Sequence, residues 1–318
     1  MAGLQPGSWS CSRKTQSTKG IVNSQESNFA RRSLLLVAWI AVAAILFWPT
    51  LASVWHLAMT DENYSHLPII PLISVVLLFQ ERNKIRESLA SDRLSGTIFC
   101  VAAAILWLIV RYASADWDSA DRLSALTLAF FSLLVGGFAY FLGRRALLAA
   151  QFPLLFLLFA VPPPQFLLDR VISFLQHGTA NLSGIFFELS GVPVLREGIV
   201  FHLTTVNIEV ARECSGIRSS IALLILAVLA GHFVLQGIWR KLVFVLTGIA
   251  VMIVKNAIRI VTLTLLANYV EPGFLFGKLH REGGVVFFLI GLLLLWPVLW
   301  LLQRPSVKKE QIVGSASA

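Results

Sequence analysis

Charge is scarce in this chain. Of its 318 residues only 14% are Asp, Glu, Lys or Arg, while 57% are hydrophobic. A soluble domain carries roughly a quarter charged residues, so a water-facing surface over most of the molecule is excluded. Cysteine is scarce too. Cys11, Cys100 and Cys214 form neither a disulfide framework nor a metal-ligand spacing, and no metal or other cofactor is expected. Acids are outnumbered by bases, 17 to 26, for a formal charge of +9. That excess does not point to nucleic acid. Most Lys and Arg lie in tails and short loops between apolar runs, which is the topogenic pattern of membrane proteins. Nothing repeats along the chain, and no low-complexity tract appears beyond the small-residue end SASA.

What the chain has in quantity is long apolar runs. About eight reach or approach membrane-spanning length: Leu34–Trp55, His66–Phe79, Leu94–Val110, Leu123–Leu142, Leu147–Val161, Ile217–Leu235, Leu242–Leu266 and Val285–Leu302. Pro68 and Pro71 shorten or kink the second. The first is too long for a cleavable signal and reads as a signal anchor. The expected fold class is an all-α polytopic membrane protein, because a bilayer demands that each spanning segment satisfy its own backbone. Basic residues fall on alternate loops: Arg82, Lys84, Arg86 and Arg93, then Arg144 and Arg145, then Arg240 and Lys241. That puts both termini inside, with the inner cell membrane as the expected location.

Three segments follow. Residues 1–32 are polar and basic and read as a disordered cytoplasmic tail; residues 33–303 form the transmembrane domain; residues 304–318 form a second cytoplasmic tail. Within the domain, 162–213 is the longest non-spanning piece and falls on the outer face. It opens on Pro162-Pro163-Pro164. Phe166–Leu189 then has helical spacing of apolar residues, predicting an amphipathic helix along the interface. The stretch GVPVLREGIVFHLTTVNIEV suggests a small β-hairpin ahead of the sixth span.

At the start of that span lies ECSGIRSS, Glu213–Ser220. Cys214 sits at the outer mouth of a helix that runs inward. The positive end of the helix dipole and Arg218, one turn on, both favour its thiolate. Arg259 lies seventeen residues into the seventh run, roughly 26 Å at 1.5 Å per residue, near the far edge of a core about 30 Å thick. His280 precedes the last run. The three are distant in sequence and level in depth. A thiolate nucleophile, an arginine for the oxyanion or the thiolate, and a histidine as general acid and base make a nucleophilic site. Asn256, one turn before Arg259, is placed to orient it or to donate as well. Singly, these residues have blander roles. A lone membrane Cys is most often packing, as Cys100 is read here. An Arg near a helix end snorkels to headgroups, and a loop His is commonly solvated. Helical spacing favours Arg218 as the closer neighbour of Cys214, and which arginine, Arg218 or Arg259, is essential stays open at this point.

These residues resemble the motifs of the exosortase/archaeosortase family of membrane cysteine transpeptidases. ECSGIRSS is similar to the family's cysteine motif, with Cys214 in the nucleophile position. NAIRI, Asn256–Ile260, resembles its Asn-x-x-Arg motif and puts the family arginine at Arg259. His280 corresponds to its outer-loop histidine. DENYSHLPIIPLIS is similar to a Tyr-Ser-His stretch of bacterial members and marks Tyr64 and His66 as substrate-binding candidates. The resemblance implies a protein-sorting enzyme on the outer, periplasmic face. Its partners would be membrane-anchored proteins with a C-terminal sorting signal of the Pro-Glu-Pro kind, an acceptor nucleophile of unknown identity, and the bilayer itself. In bacterial members this goes with exopolysaccharide and biofilm loci. Two other classes fit the composition: an exopolysaccharide transport or assembly protein, and a membrane acyltransferase carrying an acyl group on Cys214.

Overall fold

The computed structural model describes residues 9–89, 92–203, 207–210, 217–271 and 284–303, with side chains from residue 27 onward. It is 82% helical. Seven of its helices are long and apolar enough to cross a membrane, or eight if the pair Gln151–Ala160 and Gln165–Leu189 counts as one broken span. Large apolar side chains such as Ile45, Leu72, Leu94 and Leu293 are 68–75% exposed, which water would penalise and lipid tails do not. This is an all-α polytopic membrane protein.

The chain divides into two compact units, residues 1–165 and 166–318. The first begins with α1 (Trp9–Leu46) and α2 (Trp48–Thr60). The expected run Leu34–Trp55 is therefore two helices meeting at Phe47. Pro49 lies in the first turn of α2, where its missing N–H costs nothing, but its ring would crowd the carbonyl four residues back were the helix continuous. A 3₁₀ turn, Glu62–Tyr64, leads to α3 (Ile69–Gln80), which starts straight after Pro68. The short α4 (Arg82–Glu87) follows. Then come α5 (Arg93–Tyr112) and α6 (Ser119–Leu142), packed as a hairpin. Asp92 caps α5 by accepting from Ser95 N at 3.3 Å and Ser95 Oγ at 2.8 Å, and the Ser95 bonds hold its carboxyl below the ordinary range.

Glycine brings these helices close. A Cβ on Gly96 of α5 would lie 2.6 Å from Tyr140 Cβ, and one on Gly136 of α6 would lie 2.7 Å from Cys100 Sγ. Small residues at membrane helix crossings allow this approach. Trp39 of α1 donates from Nε1 to the Leu133 carbonyl of α6 at 3.0 Å.

The fifth expected run, Leu147–Val161, is not one helix. It falls into α7 (Arg144–Ala149), α8 (Gln151–Phe156) and a 3₁₀ turn, Leu157–Ala160. Pro153 explains the break after α7, because in a continuous helix its ring would clash with the Ala149 carbonyl.

The second unit contains the long helix α9 (Gln165–Leu189), where the amphipathic helix is expected. The expected hairpin is a three-stranded antiparallel sheet, β1 (Leu195–Glu197), β2 (Val200–His202) and β3 (Asn207–Glu209), in that order. Gly198, at φ +64, makes the β1–β2 turn. Phe201 of β2, fully buried, packs on Phe187 of α9 with ring centroids 5.2 Å apart. Among the described residues three further helices belong to the unit: α10 (Ile217–Val234), α11 (Ile238–Tyr269) and α12 (Gly284–Gln303). They pack on one another around Leu223, Phe244, Met252 and Leu295.

Candidate active site

The long helix α11 organises the site. It starts at Ile238, four residues before the expected Leu242, and runs to Tyr269. Its wall toward the rest of the unit carries Val251, Met252, Lys255, Asn256, Ala257, Ile260 and Val261, all buried. Apolar residues at helical spacing make that wall. Lys255 and Asn256 interrupt it with polar groups only 1% and 2% exposed.

Each of these two polar residues binds a different neighbour. Lys255 Nζ donates to Ser219 Oγ, in the first turn of α10. Asn256 Nδ2 donates to Thr179 Oγ1 on α9 at 3.3 Å. Asn256 Oδ1 is buried and has no partner among the described residues. Arg259, one turn beyond Lys255 on the same helix face, is half-buried, whereas Arg218 is exposed. The two arginines therefore differ in burial, with Arg259, not the Arg218 that spacing favours, the more enclosed.

A second set of contacts reaches the same stretch of α11. Ile260 and Val261 share an apolar cluster with Ala180, Phe187, Phe201, Leu203 and Val210. Val210 is fully buried, and its carbonyl accepts from Gln176 Nε2 of α9 at 2.7 Å. The chain before residues 211–216 is therefore packed in one cluster with Ile260 and Val261, and the chain after them is bonded to Lys255. Both flanks of the segment that carries Cys214 are fixed to one helix, within seven residues that include Arg259.

Cys214 and His280 themselves lie outside the described residues. Asn256 sits beside Arg259 in sequence, but its donated bond goes to Thr179. Tyr64 and His66 are half-buried in the first unit, on the turn ahead of α3. Asp61 shapes that turn by accepting from Asn63 N at 2.9 Å, and the His66 carbonyl accepts from Ile69 N at 3.1 Å to start α3. Sequence reasoning gives Lys255 and Ser219 no role in the site. The available signal was a lysine inside an apolar helix, four residues before the candidate arginine.

A family model described as transmembrane exosortase matches residues 48–297, most of the chain. The chain belongs to the transmembrane exosortase family. The match takes in every candidate position: Tyr64, His66, Cys214, Arg218, Asn256, Arg259 and His280. Among the curated proteins and the solved structures, none gives this exosortase a significant match.

Proposed function

We propose that this exosortase is a cysteine protease and transpeptidase that sorts exported proteins at the outer face of the inner membrane. The observation that carries the reading is the double anchoring of the Cys214 segment to α11 beside Arg259. Cys214 stands three residues before Ile217, and three residues of chain reach no more than about 10 Å. Chain connectivity therefore keeps Cys214 within this reach of the start of α10.

The Cys214 thiolate attacks the carbonyl carbon of the scissile peptide bond in the sorting signal. The oxyanion that forms is met by Arg259, whose planar guanidinium donates from a fixed fork. The C–N bond breaks as His280 gives its proton to the leaving amine. A thioester on Cys214 remains. An acceptor nucleophile then attacks that carbonyl, His280 takes its proton, and the thiolate leaves. The substrate is a membrane-anchored protein with a C-terminal Pro-Glu-Pro-like signal followed by its own membrane helix. Tyr64 and His66 contribute to substrate binding, with Arg218 and Asn256 supporting the site. The inward orientation of both termini, the cytoplasmic tails and a link to exopolysaccharide belong to this reading.

A transport protein would instead line a polar path through the spans. Lys255, inside α11, is 1% exposed and donates to Ser219 Oγ rather than facing an open path among the described residues. Co-expression with a tagged substrate tests the proposal. Cys214→Ala should leave the substrate unprocessed, and full processing by that variant would remove the thiol from the mechanism.

A further inference from the structure

The first unit holds a cavity that the proposed mechanism does not use. It lies where α5 ends and α6 begins, and its lining includes Trp107, Arg111, Tyr112, Ser114, Arg122 and Leu126. Its volume is about 300 Å³, at the small end of the range for ligand sites. Helices α5 and α6 are each long and apolar enough to cross a membrane. The turn that joins them, and the cavity with it, therefore stands at a membrane boundary.

The lining has two characters. Trp107 and Tyr112 are exposed, and rings of these types anchor spans at headgroup level. Arg111 and Arg122 supply charge. Arg122 is held in place: Nη2 donates to the Ala115 carbonyl at 2.7 Å, while Nε is buried and has no partner among the described residues. Arg111, in the last turn of α5, sets its guanidinium carbon 5.7 Å from the centroid of the Tyr112 ring. Neither arginine is in an ion pair among the described residues.

Three carboxylates are near in sequence, yet none lines the cavity. Asp121 accepts from the Gln165 backbone N–H at 2.6 Å, and Asp116 and Asp118 are exposed. Arg122 also sits near the start of α6, where the helix dipole disfavours a cation. An anion in the cavity would offset both the dipole and the repulsion between the guanidiniums.

The neighbouring surface says which anion. Val101, Ile105 and Leu108 are exposed along one face of α5, and this apolar stripe ends at Arg111 and Tyr112. Lipid tails cover such a stripe, which carries their headgroups to the cavity. We propose that the cavity binds the phosphate of an anionic phospholipid headgroup, with Arg111 and Arg122 as donors and the acyl chains along α5. Guanidinium N–H pairs match phosphate oxygens. A zwitterionic headgroup would bring a third cation to the two arginines, so the anionic one is preferred. This site is independent of the transpeptidase reading.

The test uses the full-length protein, stripped of lipid in a neutral detergent and titrated with phosphatidylglycerol, phosphatidylcholine or inorganic phosphate. Two quantities are read: the melting temperature and the lipid retained in native mass spectra. Phosphatidylglycerol is expected to raise the melting temperature saturably and to stay bound, with phosphatidylcholine far weaker and inorganic phosphate without effect. Arg111→Gln should raise the half-saturating phosphatidylglycerol concentration about fivefold, and the double change with Arg122→Gln about 25-fold. Arg240→Gln, at the other membrane boundary, should leave it unchanged. An unchanged half-saturation in Arg111→Gln overturns the proposal, as does equal binding of the two lipids. A rise with inorganic phosphate that matches the lipid's would make this a site for soluble anions and overturn the lipid assignment. If the double variant does not fold, Arg111→Gln, whose side chain is exposed, and the wild-type lipid comparison still decide.

Discussion

Asn256 donates from Nδ2 to Thr179 Oγ1 at 3.3 Å, which ties α11 to α9 three residues before Arg259. The other end of the same amide, Oδ1, is buried and has no partner among the described residues. One half of the side chain is thus structural and the other half is available to the site.

The two halves separate experimentally. Thr179→Val removes only the interhelical bond, and such bonds average about 0.6 kcal/mol in membranes. It should lower the detergent melting temperature slightly and leave processing near wild type. Asn256→Leu removes both functions and should lose most processing. Equal loss of processing in the two variants would make Asn256 purely structural.

The arginines should differ. Arg259 is half-buried on α11, while Arg218 is exposed. Arg259→Gln should slow processing by about 10²–10³, the range for loss of one oxyanion donor. Arg259→Lys should also be poor, because an ammonium does not reproduce the fork. Arg218→Gln should keep most activity. Rates of processing in membranes check all three, and the opposite ranking would move the essential role to Arg218.

Much of this architecture was legible in sequence, and the reasons are physical. A bilayer forces spans into apolar runs, so α3, α5, α6, α10, α11 and α12 lie where hydropathy puts them. Helical spacing was likewise enough to find α9. The breaks at Phe47 and Ala150 were harder, because Pro49 and Pro153 each end one helix by serving as a good start to the next. The sheet is partly visible: β1 and β2 flank a glycine turn, whereas β3 has no such turn signal before it and is recognised only by its pairing with β2. Lys255 reads in sequence only as a charge inside an apolar run. Its meaning depends on Ser219, thirty-six residues away, and no periodicity encodes that pairing.

Close helix approach in the first unit gives a stability prediction. A Cβ at Gly96 would be 2.7 Å from the Tyr140 backbone nitrogen, and backbone must shift to admit it. Gly96→Ala should destabilise by about 1–3 kcal/mol through overpacking and lower the melting temperature. Processing per folded molecule should be unchanged. A melting temperature equal to wild type would mean that α5 and α6 pack less tightly than described.

The orientation can be read with an impermeant thiol reagent. Leu195 on β1 is 65% exposed, and the proposed outer-face sheet puts Leu195→Cys within reach of a maleimide added to intact spheroplasts. Arg86→Cys, on α4, should label only after permeabilisation. Reversed labelling would invert the topology.

The central claim is that Cys214 carries the substrate as a thioester. Membranes containing the protein are incubated with a peptide bearing a Pro-Glu-Pro signal and a following apolar helix, without added acceptor, and Cys214 is examined by mass spectrometry. The account predicts an acyl adduct on Cys214 that is sensitive to hydroxylamine and absent in Cys214→Ala. Cleavage of the peptide with no adduct, continuing undiminished in Cys214→Ala, would contradict it.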